Sequence, residues 1–345
     1  MRLTVFTISF ILSLCLTWVM RQVALKHQII DHPSSRKMQE KPIPYLGGLG
    51  ILISFLGSFT FSYYVLGLAN EFNFSILIIP LTLTFFIALL GLIDDLRALN
   101  YKMKFLIQCI TSVIAGIATS LSDFRAFSFS SNVVNILMTA IWLIFLMNAV
   151  NFFDNMDGLL SGTLIISLFA YYIHTSRLDQ NLLVAVCISF IGCIAGFLLF
   201  NFPEAKIYLG DTGSLFLGFT LGLIVIQIDF RSQPALDASV TLLLPISVIL
   251  FDAILVVCFR LLRRIHPASP GKDHLSHRLM LSGKSKRVAV VEIWGITLFG
   301  SMMSIIFDKS LPYILGASLV VFTRILLVYF KTQSLFIKQT NIYGK

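Results

Sequence analysis

Residues 74–97 read FSILIIPLTLTFFIALLGLIDDLR. From Phe74 to Ile93 no side chain carries a charge, and at Asp94 and Asp95 the chain turns acidic. About 20 apolar residues in helical form cross the hydrocarbon core of a bilayer. The stretch therefore predicts a membrane-spanning helix that ends in two adjacent carboxylates. Ten further runs of this kind lie outward from it, at roughly 3–20, 48–68, 105–121, 132–149, 159–175, 182–200, 214–229, 239–259, 289–307 and 311–330. The first is followed by basic residues rather than a small-residue cleavage site, so it reads as a retained span.

The composition agrees. Of 345 residues 57% are hydrophobic and 12% charged, and the mean hydropathy is +0.88. A soluble domain carries about 25% charged residues. Soluble enzymes, disordered chains and fibrous proteins are excluded. The unbroken apolar runs exclude an alternating outer-membrane barrel. The expected fold is all-α: a polytopic membrane protein of about 10–11 transmembrane helices, read as a single integral-membrane domain over 1–345. The five cysteines, Cys15, Cys109, Cys187, Cys193 and Cys258, all lie inside apolar runs without a paired metal spacing.

Charge sets the expected orientation. Of 26 Lys and Arg, 20 fall in one set of alternating segments and five in the other; Arg324 lies inside the last span. By the positive-inside rule the rich set is cytoplasmic. The N-terminus is then outside and the C-terminus cytoplasmic. The acidic residues gather on the same face: Asp94 and Asp95, Asp154 and Asp157 in NAVNFFDNMDGLLSG (148–162), and Asp211 in FNFPEAKIYLGDTGS (200–214).

Any one of these acids reads equally as a solvated loop residue or a helix cap, and Asp211 could cap the eighth helix. Five on three separate loops, beside basic residues, form a set of hard oxygen ligands that suits Mg²⁺ and a phosphate substrate. Glycine at Asp157-Gly158 and Gly210-Asp211 permits positive φ and close backbone approach to an anion. Asp252 lies at membrane depth, where an unpaired Asp is costly. A structural bond and a substrate role are both open for it.

Two basic loops face these acids. In DHPSSRKMQEKPIPYLGGLG (31–50) the prolines forbid a long helix, so Arg36, Lys37 and Lys41 ride on a shaped loop. They read as contacts to anionic lipid or as phosphate ligands. In RLLRRIHPASPGKDHLSHRLMLSGKSKR (260–287), His274 and His277 share a helical face and with Arg278 could contact a diphosphate. An exposed amphipathic surface helix is the alternative. No third nitrogen or sulfur ligand stands near for zinc.

Taken in order, DHPSSRKMQEKPIPYLGG, GLIDDLRALNYKMKFLIQ, NAVNFFDNMDGLLSG, FNFPEAKIYLGDTGSLFLG, the Asp252-to-Arg260 spacing and DHLSHRL resemble the polyprenyl-phosphate N-acetylhexosamine-1-phosphate transferases. The resemblance covers nearly the whole chain. It implies transfer of a sugar-1-phosphate from a UDP-sugar, expected to be a UDP-N-acetylhexosamine, to undecaprenyl phosphate with release of UMP. It implies dependence on Mg²⁺, with Mn²⁺ able to substitute, and a cytoplasmic site in the bacterial inner membrane. The product would start a lipid-linked cell-envelope polysaccharide such as an O-antigen.

Carried over by position, Asp94 and Asp95 match the family's aspartate pair, and Asp154 and Asp157 the acids of the next loop. Together these four form the expected catalytic set. Asp211 matches a metal-binding aspartate, so the expected metal set is Asp211, Asp157 and Asp95. Lys41 matches a basic residue near the phosphates, and His274 and His277 the outer members of a histidine motif. With Asn151 and Arg278 they form the expected substrate-binding set. The lipid bilayer is a partner, a homodimer is an open expectation, and no nucleic-acid partner is expected.

Three positions depart from the family pattern. The H-x-H-H motif has Ser276 in its middle, the acid before it is Gly271 with Asp273 displaced, and D-G-x-D-G has Asn155 for its first glycine. A transporter or flippase is the competing class. It would carry acids near the midplane and broken spans in paired halves.

Overall fold

The computed structural model describes residues 1–32, 41–71, 75–121, 131–230, 234–267, 269, 271–308 and 310–343. Arg36 and Lys37, expected near phosphate, lie outside the described residues, as do Arg125, Arg231 and Lys309. Among the described residues eleven helical segments are long and apolar enough to cross a membrane, one for each predicted run. They are α1 (Arg2–Lys26), α2 (Gly47–Val65), α4 (Ser75–Arg97), α5 (Tyr101–Leu121), α6 (Asn132–Phe153), α7 (Leu159–Arg177), α8 (Asn181–Asn201), α9 (Gly210–Gln227), α10 with α11 (Ala235–Leu243 and Ser247–Leu262), α13 (Lys286–Ile306) and α14 (Leu311–Tyr343). Two short helices, α3 (Leu68–Glu71) and α12 (Leu275–Leu281), and a two-stranded ladder complete the order. In that ladder β1 (Ile30–Asp31) pairs antiparallel with β2 (Ile43–Pro44).

The observed helices outrun the predicted ones at the polar ends. Asp94 and Asp95 end the helix as expected, within the last turn of α4, which runs on to Arg97, and α9 begins at Gly210, four residues before the predicted start. Between α10 and α11 a 3-10 turn, Leu244–Ile246, surrounds Pro245. Proline lacks the N–H that would continue the α-helical ladder.

The chain forms two compact units, one of residues 1–151 and 171–229, the other of 152–170 and 230–345. In the first, α1 packs on α8 and α2, α2 on α9, and α4 on α9. Small residues let these backbones touch. A Cβ on Gly192 would stand 2.6 Å from Ser9 Cβ of α1, and one on Gly218 2.8 Å from Met147 Cα of α6. The four-residue spacings Gly192/Gly196 and Gly218/Gly222 thus mark helix crossings. At the polar end, a Cβ on Gly48 would lie 2.2 Å from the Gly213 nitrogen, and one on Gly91 2.3 Å from the Asp211 carbonyl oxygen. The backbones of α2 and α4 therefore press directly on the first turn of α9. Backbone bonds add to this: Gly47 N donates to the Tyr208 oxygen (3.0 Å), Gly48 N to that of Leu209 (2.8 Å), and Tyr208 N to that of Pro44 (2.8 Å).

In the second unit, α12 packs on α13 and α14, and α11 on α13 and α14. The segment 152–170 joins this unit through side chains. Gly162 lies under the Trp294 ring, Trp294 Nε1 donates to the Leu159 oxygen (3.2 Å), and Ser167 Oγ to that of Pro245 (2.6 Å).

Gly91 gives a direct test of the α4–α9 contact. Alanine there must displace a backbone carbonyl, and overpacking of this kind costs about 1–3 kcal/mol. Gly91→Ala should lower the melting temperature in detergent, while Gly295→Ala, where a Cβ meets nothing within 4 Å, should leave it unchanged. Circular-dichroism melts of both variants make the check.

Candidate active site

The first unit builds a polar cluster where α4, α5, α6 and α9 end. Asp95 reaches from α4 to the start of α9. Its Oδ1 accepts from Asp211 N (2.8 Å), and its Oδ2 from Thr212 N (2.9 Å) and Thr212 Oγ1 (2.6 Å). The first N–H groups of a helix have no intrahelical partner and carry partial positive charge. A carboxylate from a neighbouring helix satisfies them here. Asp211 itself, considered above as a cap, stands inside the first turn and is free to point its side chain elsewhere. Gly210, at φ +74°, permits the approach, since a Cβ there would lie 2.5 Å from Asp95 Oδ2.

Asp94 closes the turn between α4 and α5, its Oδ1 accepting from Leu99 N (2.6 Å). Its Oδ2 accepts from Lys104 Nζ (2.8 Å), and the same ammonium donates to Asp211 Oδ2. Asn151 Nδ2 donates to Asp211 Oδ1 (2.8 Å) and to Ser214 Oγ (2.8 Å). Asp94, Asp95, Asp211 and Asn151 are thus brought together, and Lys104 binds two of them. Lys104 escaped the sequence reading because it was one of many basic residues counted for orientation. Its place one turn into α5, ten residues after Asp94, was the available signal. Tyr45 joins the cluster electrostatically: burial, then the nearby carboxylates of Asp95 and Asp31, push its phenol upward. Lys41 is exposed.

The second unit builds another cluster around residues 273–278. From α11, Asp252 Oδ1 accepts from Leu275 N (2.7 Å) and Tyr329 Oη (2.7 Å), and its Oδ2 lies 2.8 Å from His274 Nδ1. Two turns further on, Arg260 binds Asp273 bidentately, through Nε (2.8 Å) and Nη2 (2.7 Å). Asp252 and Arg260 of α11 therefore clamp consecutive residues and fix how His274 enters α12. Burial alone would raise the Asp273 carboxyl, but the Arg260 bonds and charge hold it below the usual range. Gly271 leaves room for this pair, since a Cβ there would meet Asp273 Oδ1 at 2.6 Å and would have to displace it. Asp252 has the structural bond that the sequence left open.

The helix among the described residues of 263–285, α12, is buried rather than an exposed surface helix. His274, Ser276, His277 and Arg278 are all buried. Arg278, expected to meet a diphosphate, is turned inward with no exposed surface. Its Nε donates to the Asp273 carbonyl oxygen (2.8 Å), and its guanidinium lies over the rings of Tyr329 (4.1 Å) and Phe336 (5.0 Å). A hydrogen-bonded, cation–π-stacked arginine is stable in such a place. Burial, then the charges of His274 and Lys272, pull His277 down to about 4. It is neutral at pH 7 and offers a hydrogen bond rather than a charge. Asp157 is buried and bound by Lys286 Nζ (2.6 Å), and Asp154 is half-buried in the same turn, which Gly158 closes at φ +72°.

Among the described residues no three His, Cys, Asp or Glu side chains are gathered at metal-binding range. Of the expected metal set, Asp95 and Asp211 lie in the first unit's cluster and Asp157 in the second unit. The pair that converges on a cation is Asp94 with Asp211, and the Lys104 ammonium is that cation. Mg²⁺ characteristically takes one or two carboxylates, with waters and substrate phosphate oxygens for the rest. The donors present fit that habit.

The glycosyl transferase family 4 profile matches residues 77–229, the stretch from α4 to the end of α9. The chain is 30% identical over 289 residues to the phospho-N-acetylmuramoyl-pentapeptide-transferase of Listeria innocua, covering 78% of this chain and 86% of that one. This chain belongs to the polyprenyl-phosphate N-acetylhexosamine-1-phosphate transferase family. It is 29% identical over 311 residues to a probable undecaprenyl-phosphate N-acetylglucosaminyl 1-phosphate transferase of Bacillus subtilis, covering 88% of this chain and 84% of that one. It is 27% identical over 310 residues to the undecaprenyl-phosphate alpha-N-acetylglucosaminyl 1-phosphate transferase of Yersinia pestis, covering 86% and 81%. As a member of this transferase family it is a multi-pass membrane phosphotransferase, an enzyme rather than a transporter.

Two predictions follow from the carboxylates and from His277. Asp95→Asn turns an amide N–H toward helix donors, so it should lower both the melting temperature and turnover. Asp94→Asn should lower turnover by about a hundredfold, the scale of losing one organised electrostatic contact, with little change in melting. Melts and initial rates of the two purified variants separate them.

For His277, the unfolded side chain titrates near 6.5 and the folded one near 4. The unfolded state binds more protons between these values, so stability present above about pH 6.5 is lost as pH falls toward 4. His277→Gln should flatten that part of the melting-temperature profile.

Proposed function

We propose that this transferase moves an N-acetylhexosamine-1-phosphate, such as that of GlcNAc or GalNAc, from a UDP-sugar to undecaprenyl phosphate. UMP is released, and the product starts a lipid-linked cell-envelope polysaccharide. The observation that carries this reading is the convergence of Asp94 and Asp211 on one cation at the start of α9. The names of the Bacillus subtilis and Yersinia pestis relatives support the lipid acceptor and the sugar. The charge asymmetry supports a site on the cytoplasmic face of the bacterial plasma membrane.

Two phosphorylated substrates repel each other, and this must be overcome before their reacting atoms approach. Asp94 and Asp211 are the residues that would hold Mg²⁺, with Asp95 anchoring the helix that bears Asp211. The ion supplies charge neutralisation and polarisation of phosphate oxygens when bound. Lys104 stands against both carboxylates, placed to donate to a phosphate oxygen once they turn to the metal. Within the second unit, His274, its ring oriented by Asp252, and His277 are the candidate hydrogen-bonding groups. The prenyl phosphate is already ionised near neutral pH. Its oxygen attacks the sugar-bearing phosphorus, the bond from that phosphorus to the UMP oxygen breaks, and UMP leaves with the electron pair.

The purified enzyme in detergent should release UMP from UDP-GlcNAc or UDP-GalNAc only when undecaprenyl phosphate and Mg²⁺ or Mn²⁺ are present. Excess EDTA should abolish release, and added Mg²⁺ should restore it. Full turnover in EDTA, or turnover of UDP-MurNAc-pentapeptide with none of any UDP-N-acetylhexosamine, would overturn the proposal.

A further inference from the structure

Two of the three motif departures meet in the second unit. Asn155 stands in the turn after α6 and Ser276 in the first turn of α12. The Ser276 hydroxyl donates to Asn155 Oδ1, and Asn155 Nδ2 donates to the Phe152 carbonyl oxygen (2.8 Å) at the end of α6. Ser276 is 1% exposed, so its hydroxyl has little water to turn to. Phe152 in turn stands edge-on to the His274 ring, 6.3 Å between centroids, and under the Arg260 guanidinium at 5.8 Å.

We infer that Asn155 and Ser276 are a positioning pair: their hydrogen bond sets the turn bearing Asp154 and Asp157 against α12, which bears His277 and is entered from His274, and each residue suits the fold only with the other. The inference rests on the proposed transferase reaction. Its physical basis is space and bonding. Histidine at 276 adds about four heavy atoms to serine, and glycine at 155 removes about four from asparagine, so the double exchange conserves volume while each single exchange does not. Glycine at 155 alone leaves a buried hydroxyl without its acceptor. Histidine at 276 alone drives a ring into the Asn155 amide. Either change moves His274 from both sides, through the start of α12 and through Phe152. The pair is assigned a positioning role, acting through His274 and the acidic turn.

The test is a double-mutant cycle on the full-length protein in detergent, with Asn155→Gly, Ser276→His, both together, and Ser276→Ala, which removes only the hydroxyl. Turnover and KM for UDP-GlcNAc or UDP-GalNAc, whichever the parent enzyme uses, are read per folded molecule. Melting is read without substrate. Each of the two larger single changes should lower kcat at least about tenfold, and the double variant should return to within about threefold of the parent, a coupling expected only of touching residues. Ser276→Ala should lower kcat measurably with KM little changed, and the melting changes should be non-additive in the same sense. Losses that multiply in the double variant, a Ser276→Ala enzyme with parental kcat, or lowered melting with kcat per folded molecule intact would each overturn the pairing role. Should the parent enzyme release no UMP, the proposed reaction fails on its own. The melting cycle then decides the pair: additive melting changes overturn it and non-additive ones support it.

Discussion

Asp95 leaves the last turn of one apolar helix and places both carboxylate oxygens on the first N–H groups of another. Helix starts within a membrane protein need such partners, because little water is available at that depth to bond exposed N–H groups. The bond joins α4 to α9 end to end, and the bare backbones at Gly91 and Gly48 allow it to form. With Asp95 occupied in this way, Asp94 on one side and Asp211 on the other are left facing a single cation. The electrostatic character of the first unit, and the reaction proposed for it, both depend on that division of labour among three aspartates.

The second unit solves a related problem with an ion pair and a buried acid. Asp252 and Arg260 project from α11 and hold residues 273 to 275 in one conformation. Removing one partner of such a buried arrangement leaves an uncompensated charge, so the network is maintained as a whole. Its effect is to carry a histidine helix inside the protein rather than on its surface. Arg278 contributes from beneath, packed among aromatic rings. The His274 ring is thereby oriented by Asp252 in a buried setting, where such contacts count for more than they would in water.

Much of the architecture was legible in the sequence because bilayer thickness imposes a length on every span, and each of the eleven runs met it. The acids were legible because carboxylates beside apolar helices, on a basic face, have few ordinary explanations. What each acid does was not legible. Asp94 and Asp95 are neighbours in sequence, yet one serves a turn and a lysine while the other caps a distant helix; that difference exists only after α4 meets α9. Lys104 was hidden for the opposite reason, since its charge already had an explanation in membrane orientation. Arg278 looked solvent-facing because loop 260–287 is polar overall, and the aromatic residues that receive it, Phe259, Tyr329 and Phe336, lie in other helices. Asn155 and Ser276 were each visible as departures, but no spacing rule links positions 121 residues apart.

The central claim is that Asp94 and Asp211 form the cation-binding pair, with Asp95 supporting them from the helix start. Electron paramagnetic resonance of Mn²⁺ titrated into the purified protein, without substrates, tests it most directly. One site is expected in the parent protein, displaced by Mg²⁺, absent in Asp94→Asn and in Asp211→Asn, and retained in Asp157→Asn. Unchanged Mn²⁺ binding in both the Asp94 and Asp211 variants, or its loss in Asp157→Asn alone, would contradict it.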